Sequence, residues 1–349
     1  MKRPLFRWLC ACFAVSCAAQ NPQRLTLLFV GDLMQHQAQL QAARTPDGYN
    51  FTDSYRYVAP LIRQADLAVA NLEVPLGGRP YAGYPAFNAP DVYAVAARNA
   101  GFDILLTANN HALDRGGRGL ERTIRALDSL DVIHTGTFVD SMQRARRYPL
   151  LVEKNGFRLV FLNYTEWTNG LTPTPPNIVN YIEPRARIRQ DVETAKALHP
   201  DAIIACMHWG VEYKTIPSTA QQTLADELLK MGVSHIIGSH PHVVQPIEID
   251  TIAGEPHVVA YSLGNYISNM SATNTDGGLM LYLTIEKDDR GTRLVDMRTE
   301  TVWVARPALG NRRTHTIIPE SLPADSLSPA EQRRRAVSYR NILRAIRKN

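Results

Sequence analysis

Cysteine is scarce in this chain: there are four in 349 residues, and Cys10, Cys12 and Cys17 fall within the first twenty. Beyond them only Cys206 remains, so no internal disulfide framework can form there. In the apolar run AIIACMHWG this thiol reads as a small buried hydrophobe. Long apolar runs are missing too. The stretch from Trp8 to about Ala19 is too short to cross a bilayer, and it follows Lys2, Arg3 and Arg7. Residues 1–19 therefore read as an export signal. Within AVSCAAQ, Cys17 fits the lipid-bearing cysteine of a lipoprotein, although Ala14 stands where leucine is commonest; cleavage after Ala19 is the alternative. No later segment reaches spanning length.

A basic body is also lacking. The first nineteen residues carry three bases and no acid, and residues 329–349 carry seven bases against Glu331. Of the net +5, residues 20–328 are therefore left with −4. This excludes a nucleic-acid-binding body. The tail SPAEQRRRAVSYRNILRAIRKN begins like a capped helix; it reads either as a solvated terminal helix or as a contact for anionic headgroups. Repeats and long low-complexity segments are absent.

What is present is an alternation of buried strands and amphipathic helices. Strands are expected at 25–32, 66–73, 102–110, 157–165, 201–210, 233–240, 257–266 and 279–287, and helices at 53–64, 90–100, 117–130, 184–198 and 218–231. The first six strands are almost continuously apolar, as in a sheet covered on both faces, so the class is α/β with mostly parallel order. The later strands lack intervening helices and predict an antiparallel portion. The main domain is set at 24–305. Segment 306–330, rich in proline and serine, reads as a linker to the basic tail ending at 349.

Several strands end in polar clusters: GDLM, NLE, NNH, HWG, GSHPH and SLGN. Ligands collect at the carboxyl ends of strands in open α/β sheets. His240 and His242, one proline apart, would share a side if the chain there is extended. Asp32 ends a buried run, where a carboxylate is expensive unless paired or bound to metal; capping the next segment is the alternative. Glu73 can bridge two cations, with Asn71 two residues earlier. Asn110 offers a neutral amide oxygen. His111 is placed to act as a general acid or to orient a transition-state oxygen, with Asp114 close by. His208 ends another buried run, and Glu212 can orient an imidazole. Asn265 can touch substrate or hold a ligand loop. His134, His199, His235, His257 and His315 read as structural, and Trp209 and Tyr213 as packing; His36 is left open. This donor set suits one or two divalent ions such as Mn, Zn, Fe or Mg, which would activate a water and stabilise charge on an attacked phosphoryl or carbonyl centre.

The order GD…NLE…NNH…HWG…GSHPH…SLGNY, spanning roughly 25–285, resembles the CapA-type poly-γ-glutamate (capsule) biosynthesis proteins, a branch similar to calcineurin-like metallophosphoesterases. The resemblance implies a four-layer α/β/β/α sandwich, metallophosphatase-like, with a dinuclear site at one sheet edge. It makes Asp32, Glu73, Asn110, His208, His240 and His242 metal ligands, with Glu73 bridging, and His111 the residue near the leaving group. Metallophosphoesterases usually carry a histidine two residues after the first aspartate; here that residue is Met34, which thins one metal's shell to Asp32, Glu73 and His242. The implied role is an exported protein of capsule or poly-γ-glutamate synthesis, export or anchoring, acting as a metal-dependent hydrolase of an amide or phosphoester bond in an anionic envelope polymer and held as a membrane-anchored lipoprotein or free in the periplasm or at the cell surface. The alternative is a non-catalytic polymer-binding subunit of an export complex. Segment 163–181 is the expected substrate-facing loop.

Overall fold

The first apolar run extends by two residues into β1 (Gln23–Leu33). Then come β2 (Leu67–Leu72), β3 (Ile104–Leu106) and β4 (Ile133–Thr135). A second set follows: β5 (Leu150–Lys154), β6 (Phe157–Thr165), β7 (Ala202–His208), β8 (His235–Ser239), β9 (Ile247–Ile252) and β10 (Glu255–Ala260). The chain ends with β11 (Asn265–Ile267), β12 (Gly277–Asp288), β13 (Gly291–Ala305) and β14 (Thr316–Pro319). These elements come from a computed structural model that describes residues 22–310 and 312–347; the signal reading of 1–19 and Cys17 lie outside them. Among the described residues, no helix is long and apolar enough to cross a membrane.

Two sheets result. In the first the order is β14-β13-β12-β1-β2-β3-β4, with β11 also paired to β1; in the second it is β9-β10-β8-β7-β6-β5. β1 to β4 run parallel, as do β6, β7, β8 and β10, and β12 to β14 add an antiparallel flank. Alternation along the strands gives the core its three largest parts. Leu25, Leu27 and Phe29 of β1 meet Leu159, Phe161, Ile204 and Cys206 between the sheets. Leu28 and Val30 turn outward with Ala94 and Ala97 of α2 (Asp91–Ala100), which follows the short α1 (Gln37–Ala42). Beyond α3 (Gly116–Ser129) and α4 (Ser141–Arg147), the second sheet's outer face packs Leu162 and Ala205 on Ile188 and Val192 of α5 (Arg185–Ala197) and on Leu224 and Leu228 of α6 (Thr219–Lys230). The layers are therefore α/β/β/α. Cys206 is a buried free thiol in the central layer, and burial pushes its pKa far up.

Several expectations shift. The helix expected over 53–64 is two short pieces, Thr52–Tyr55 and Ala59–Ile62, the second carrying a proline in its first turn. The strand expected over 257–266 breaks after Ala260, because the chain crosses from one sheet to the other: Leu263 N–H donates to Gly238 O at 3.1 Å, and Gly264 O accepts from Asp32 N–H at 3.1 Å. Gly31 permits that crossing; a Cβ there would lie 1.8 Å from Gly264 O. Segment 306–330 is not merely a linker, since β14 pairs with β13 at the sheet's edge. The tail helix α7 (Pro329–Ile346) is capped by Ser328 and Glu331, which satisfy each other's backbone N–H groups. It is docked rather than solvated all round: Tyr339 packs with Trp303, Ile342 reaches the inter-sheet core, and Arg333, Arg340 and Arg344 stay exposed.

Ile342→Ala is therefore expected to lower unfolding free energy by about 2–5 kcal/mol in urea titration; a solvated helix would lose a few tenths. His235 offers a second check. Buried, and accepting Val258 N–H at 3.2 Å, its pKa is lowered to about 3, mainly by burial and then by His257. Its folded value lies below its unfolded one, so its contribution is full above pH 6.5 and lost as pH falls toward 3. Thermal melts of His235→Leu should show a shallower acid slope than the parent, by about 1.4 kcal/mol per pH unit.

Candidate metal centre

Buried strands from both sheets deliver their last residues to one place. β1 ends on Asp32 and Leu33, β2 passes Asn71 and leads into Glu73, and β3 leads to Asn110 and His111. From the second sheet β7 ends on His208, and β8 runs into the turn holding His240 and His242. The histidine pair does not lie on an extended stretch, as alternation required. Both residues are left-handed, with φ +98° and +58°. The turn brings their rings to 5.9 Å centroid separation instead. Such backbone costs about 1–3 kcal/mol per residue and clusters at functional sites.

Asp32 and Glu73 are both 0% exposed. Asn71 Nδ2 donates to Asp32 Oδ1 at 2.7 Å and faces His208 Nδ1 at 3.2 Å. Asn71 is itself held by Asn109, whose amide donates to Asn71 Oδ1 at 3.2 Å. Ser239 Oγ also meets His208 Nδ1, at 3.0 Å. On the other side, His208 Nε2 lies 2.8 Å from Asn110 Oδ1, 3.2 Å from His240 Nδ1 and 3.8 Å from Glu73 Oε1. His242 Nδ1 is 3.0 Å from Asn265 Oδ1 and 3.3 Å from Asp32 Oδ2, and its Nε2 is 3.8 Å from Glu73 Oε1. His111 Nδ1 is 2.8 Å from Asp114 Oδ2.

Every expected ligand is thus within one cluster, and Asn71, Asp114 and Asn265 lie against it. Glu212 reaches the same side: its carboxylate groups with His240 and His242, ligand atoms within 4.8 Å of one another. Two further groupings of that size are Glu73, His208, His240 and Asp32, Glu73, His242, with Glu73 common to both. Met34 packs in the outer core, and its carbonyl accepts from Gln39 and from the Tyr93 hydroxyl. The His36 ring is occupied by Gln39 and by the Asn269 N–H. Burial lowers its pKa to about 4, opposed by the Gln39 contact and helped by the neighbouring charges of His242, His111 and Arg306.

Do these residues fit divalent ions? Neither carboxylate oxygen of Glu73 has a hydrogen-bond partner, nor does His240 Nε2, although all three atoms are buried. Burial, and then the adjacent Asp32, push the Glu73 carboxyl well above its ordinary range. Burial, with the neighbouring imidazoles, holds His208 well below the usual value and His240 at about 3, so both present neutral nitrogens at pH 7. Ligands about 2.1 Å from a common ion stand about 3.0–3.4 Å apart; the separations around His208 Nε2 bracket that range. The donor set fits.

Sequence reading misses the residues that support the donors. Ser239 sits inside GSHPH, where it reads as turn. Asn169, in the 163–181 loop, accepts from Asn110 Nδ2 at 3.3 Å and meets His111 Nδ1 at 3.4 Å. Trp209 is packing as expected, but Tyr213 is exposed.

The profile described as bacterial capsule synthesis protein PGA_cap matches residues 26–270. The chain belongs to this PGA_cap family. It is 27% identical over 287 residues to the capsule biosynthesis protein CapA of Bacillus anthracis, covering 79% of this chain and 67% of that protein. It is 26% identical to the PGA biosynthesis protein CapA of Bacillus subtilis, covering 76% and 69%. Among solved structures, it is similar to a 5'-nucleotidase precursor from Thermus thermophilus (16% identity, TM-score 0.49, 80% of this chain and 54% of that one). A phosphatase from Mycoplasma pneumoniae gives 12%, 0.48, 81% and 95%.

A direct check on the PGA_cap site is Glu73→Gln in chelator-treated protein. The Glu73 carboxyl is raised on folding, so it costs stability as pH climbs above the ordinary carboxylate range. At pH 8 the substitution should raise unfolding free energy by about 1–3 kcal/mol in urea titration and flatten this part of the pH slope.

Proposed function

We propose that this protein is an exported, metal-dependent hydrolase acting on an amide or phosphoester bond of an anionic envelope polymer, such as poly-γ-glutamate or another capsular or peptidoglycan-linked chain. The observation that carries it is Glu73: a fully buried carboxylate whose two oxygens lack partners where two donor groups meet. The Bacillus relatives, named for capsule and PGA biosynthesis, support an envelope polymer as the target.

Asp32, Glu73 and His242 would hold one ion; Glu73, Asn110, His208 and His240 would hold the other. Divalent ions bound there supply a Lewis acid and an acidified water. Asn71 fixes the Asp32 carboxylate, leaving Oδ2 toward His242. Asn265 orients His242, and Ser239 with Asn71 orients His208. Asp114 engages His111 Nδ1, which leaves Nε2 to protonate a leaving group. Anchoring through Cys17, or release by cleavage after Ala19, belongs to the same proposal.

A second reading, a non-catalytic polymer-binding subunit of an export complex, is favoured by Met34. Its side chain lies in the outer core, so the Asp32 side of the site has one imidazole fewer than metallophosphoesterases usually carry. Elemental mass spectrometry of the purified protein beside Asp32→Ala/His240→Ala separates the two. Close to two ions per chain, lost in the double variant, is expected, and His111→Ala should then cut turnover by about 10²–10⁴-fold. One ion or fewer, unchanged by the variant, overturns the hydrolase in favour of the subunit.

A further inference from the structure

Exposed aromatic rings are rare on this protein. Among the described residues they are Tyr84, Trp167 and Tyr213, at 72%, 47% and 47% exposure. Single exposed rings need no explanation, but these three are all connected to the metal centre. Trp167 meets His240 at nearly right angles with centroids 5.6 Å apart. Tyr213 leans on His242 at 6.3 Å. Tyr84 packs on Phe87 at 6.2 Å, and Phe87 on His111 at 4.6 Å.

The rings are held in place by backbone. Tyr213 N–H donates to Pro241 O at 2.8 Å, which ties it to the histidine turn. Thr165 Oγ1 donates to Trp167 O at 2.9 Å, and Asn169 two residues on contacts Asn110 and His111. Carboxylates adjoin two of the rings in sequence. Glu166 takes the Gly210 N–H at 2.9 Å, and Glu212 lies beside His240 and His242. Lys214 is the cation adjoining Tyr213, and Arg115 nearby is spent on the Phe87 and Ala86 carbonyls.

This rim suits one polymer chemistry better than another. A γ-linked glutamate chain has a carboxylate on each unit and no ring, so guanidinium and ammonium groups would be needed to grip it. A pyranose presents an apolar C–H face to an aromatic ring while its equatorial hydroxyls reach carboxylates and amides at the edge. One nucleobase needs one stacking place. Rings against three different parts of the site suit successive units of a linear chain.

We propose that Trp167, Tyr213 and Tyr84 form a stacking platform for a linear pyranose chain, so that the envelope polymer brought to the metal centre is a glycan strand. This rests on the reading that the site takes an envelope polymer. The test is titration of the full chain, followed by tryptophan fluorescence and calorimetry. The probes are hexasaccharides of β-1,4-linked N-acetylglucosamine, glucose and glucuronic acid, a γ-glutamate hexamer, and adenosine. At least one saccharide should bind, and Trp167→Ala and Tyr213→Ala should each weaken it roughly tenfold. Their melting temperatures and metal content should stay at the parent's values, because both side chains are exposed. No saccharide binding, binding of the γ-glutamate hexamer or adenosine alone, or saccharide binding indifferent to both substitutions overturns the proposal. A chain found without metal fails the hydrolase alone, since the rings rather than the carboxylates report this titration.

Discussion

Two carboxylates with no solvent contact, Asp32 and Glu73, stand side by side where two sheets end. Left to themselves they repel, and each forfeits hydration worth several kcal/mol. The surroundings compensate Asp32 far more than Glu73. Asn71 and the His240 N–H donate to Asp32, whereas the Glu73 oxygens have no hydrogen-bond partner and face imidazole nitrogens at 3.8 Å, that of His208 kept neutral by burial. A fold that retains so poor an arrangement has a use for it. A cation between the carboxylates and the imidazoles would turn repulsion into ligation, and the strained backbone at His240 and His242 is of one piece with that.

The four-layer architecture is what makes this placement possible. The first sheet brings the carboxylates and the second brings the imidazoles, so neither sheet alone holds a complete donor set. Their relative position is fixed by the inter-sheet core of Leu25, Leu27, Phe29, Phe161, Ile204 and Cys206, and by the crossing at 261–265. There a single strand-to-strand passage hydrogen-bonds Gly238 of one sheet and Asp32 of the other. It then delivers Asn265 against His242. A side chain at Gly31 would collide with that passage, so the residue next to the first carboxylate also sets the spacing of the sheets.

Much of this is legible in the sequence because a polar residue closing a buried β run is hard to explain by packing. Asp32, Glu73, Asn110, His208, His240 and His242 all stand out that way. What stays hidden lacks that contrast. β13 mixes exposed and half-buried residues through Glu300 and becomes continuously buried only in its last five, so its pattern has no long apolar signature. β14 has four buried residues inside a proline- and serine-rich stretch whose composition reads as linker. Asn169 and Ser239 are ordinary turn residues until the fold sets them beside His111 and His208. The backbone of the histidine pair escapes for a related reason: alternation describes a strand, and β8 has already ended at Ser239.

Tyr213 shows where local reasoning reverses. Four residues apart in sequence, Trp209 and Tyr213 have the same composition-based expectation, and both follow the strand that ends on His208. Trp209 goes inward, its indole N–H satisfied by Tyr261 O at 2.9 Å. Tyr213 is carried outward by a left-handed backbone, φ +66°, and by its N–H bond to Pro241 O. The bond that exposes the tyrosine is made to the residue between the two histidines. The same turn therefore sets the imidazoles and, through backbone alone, the place of the ring beside them.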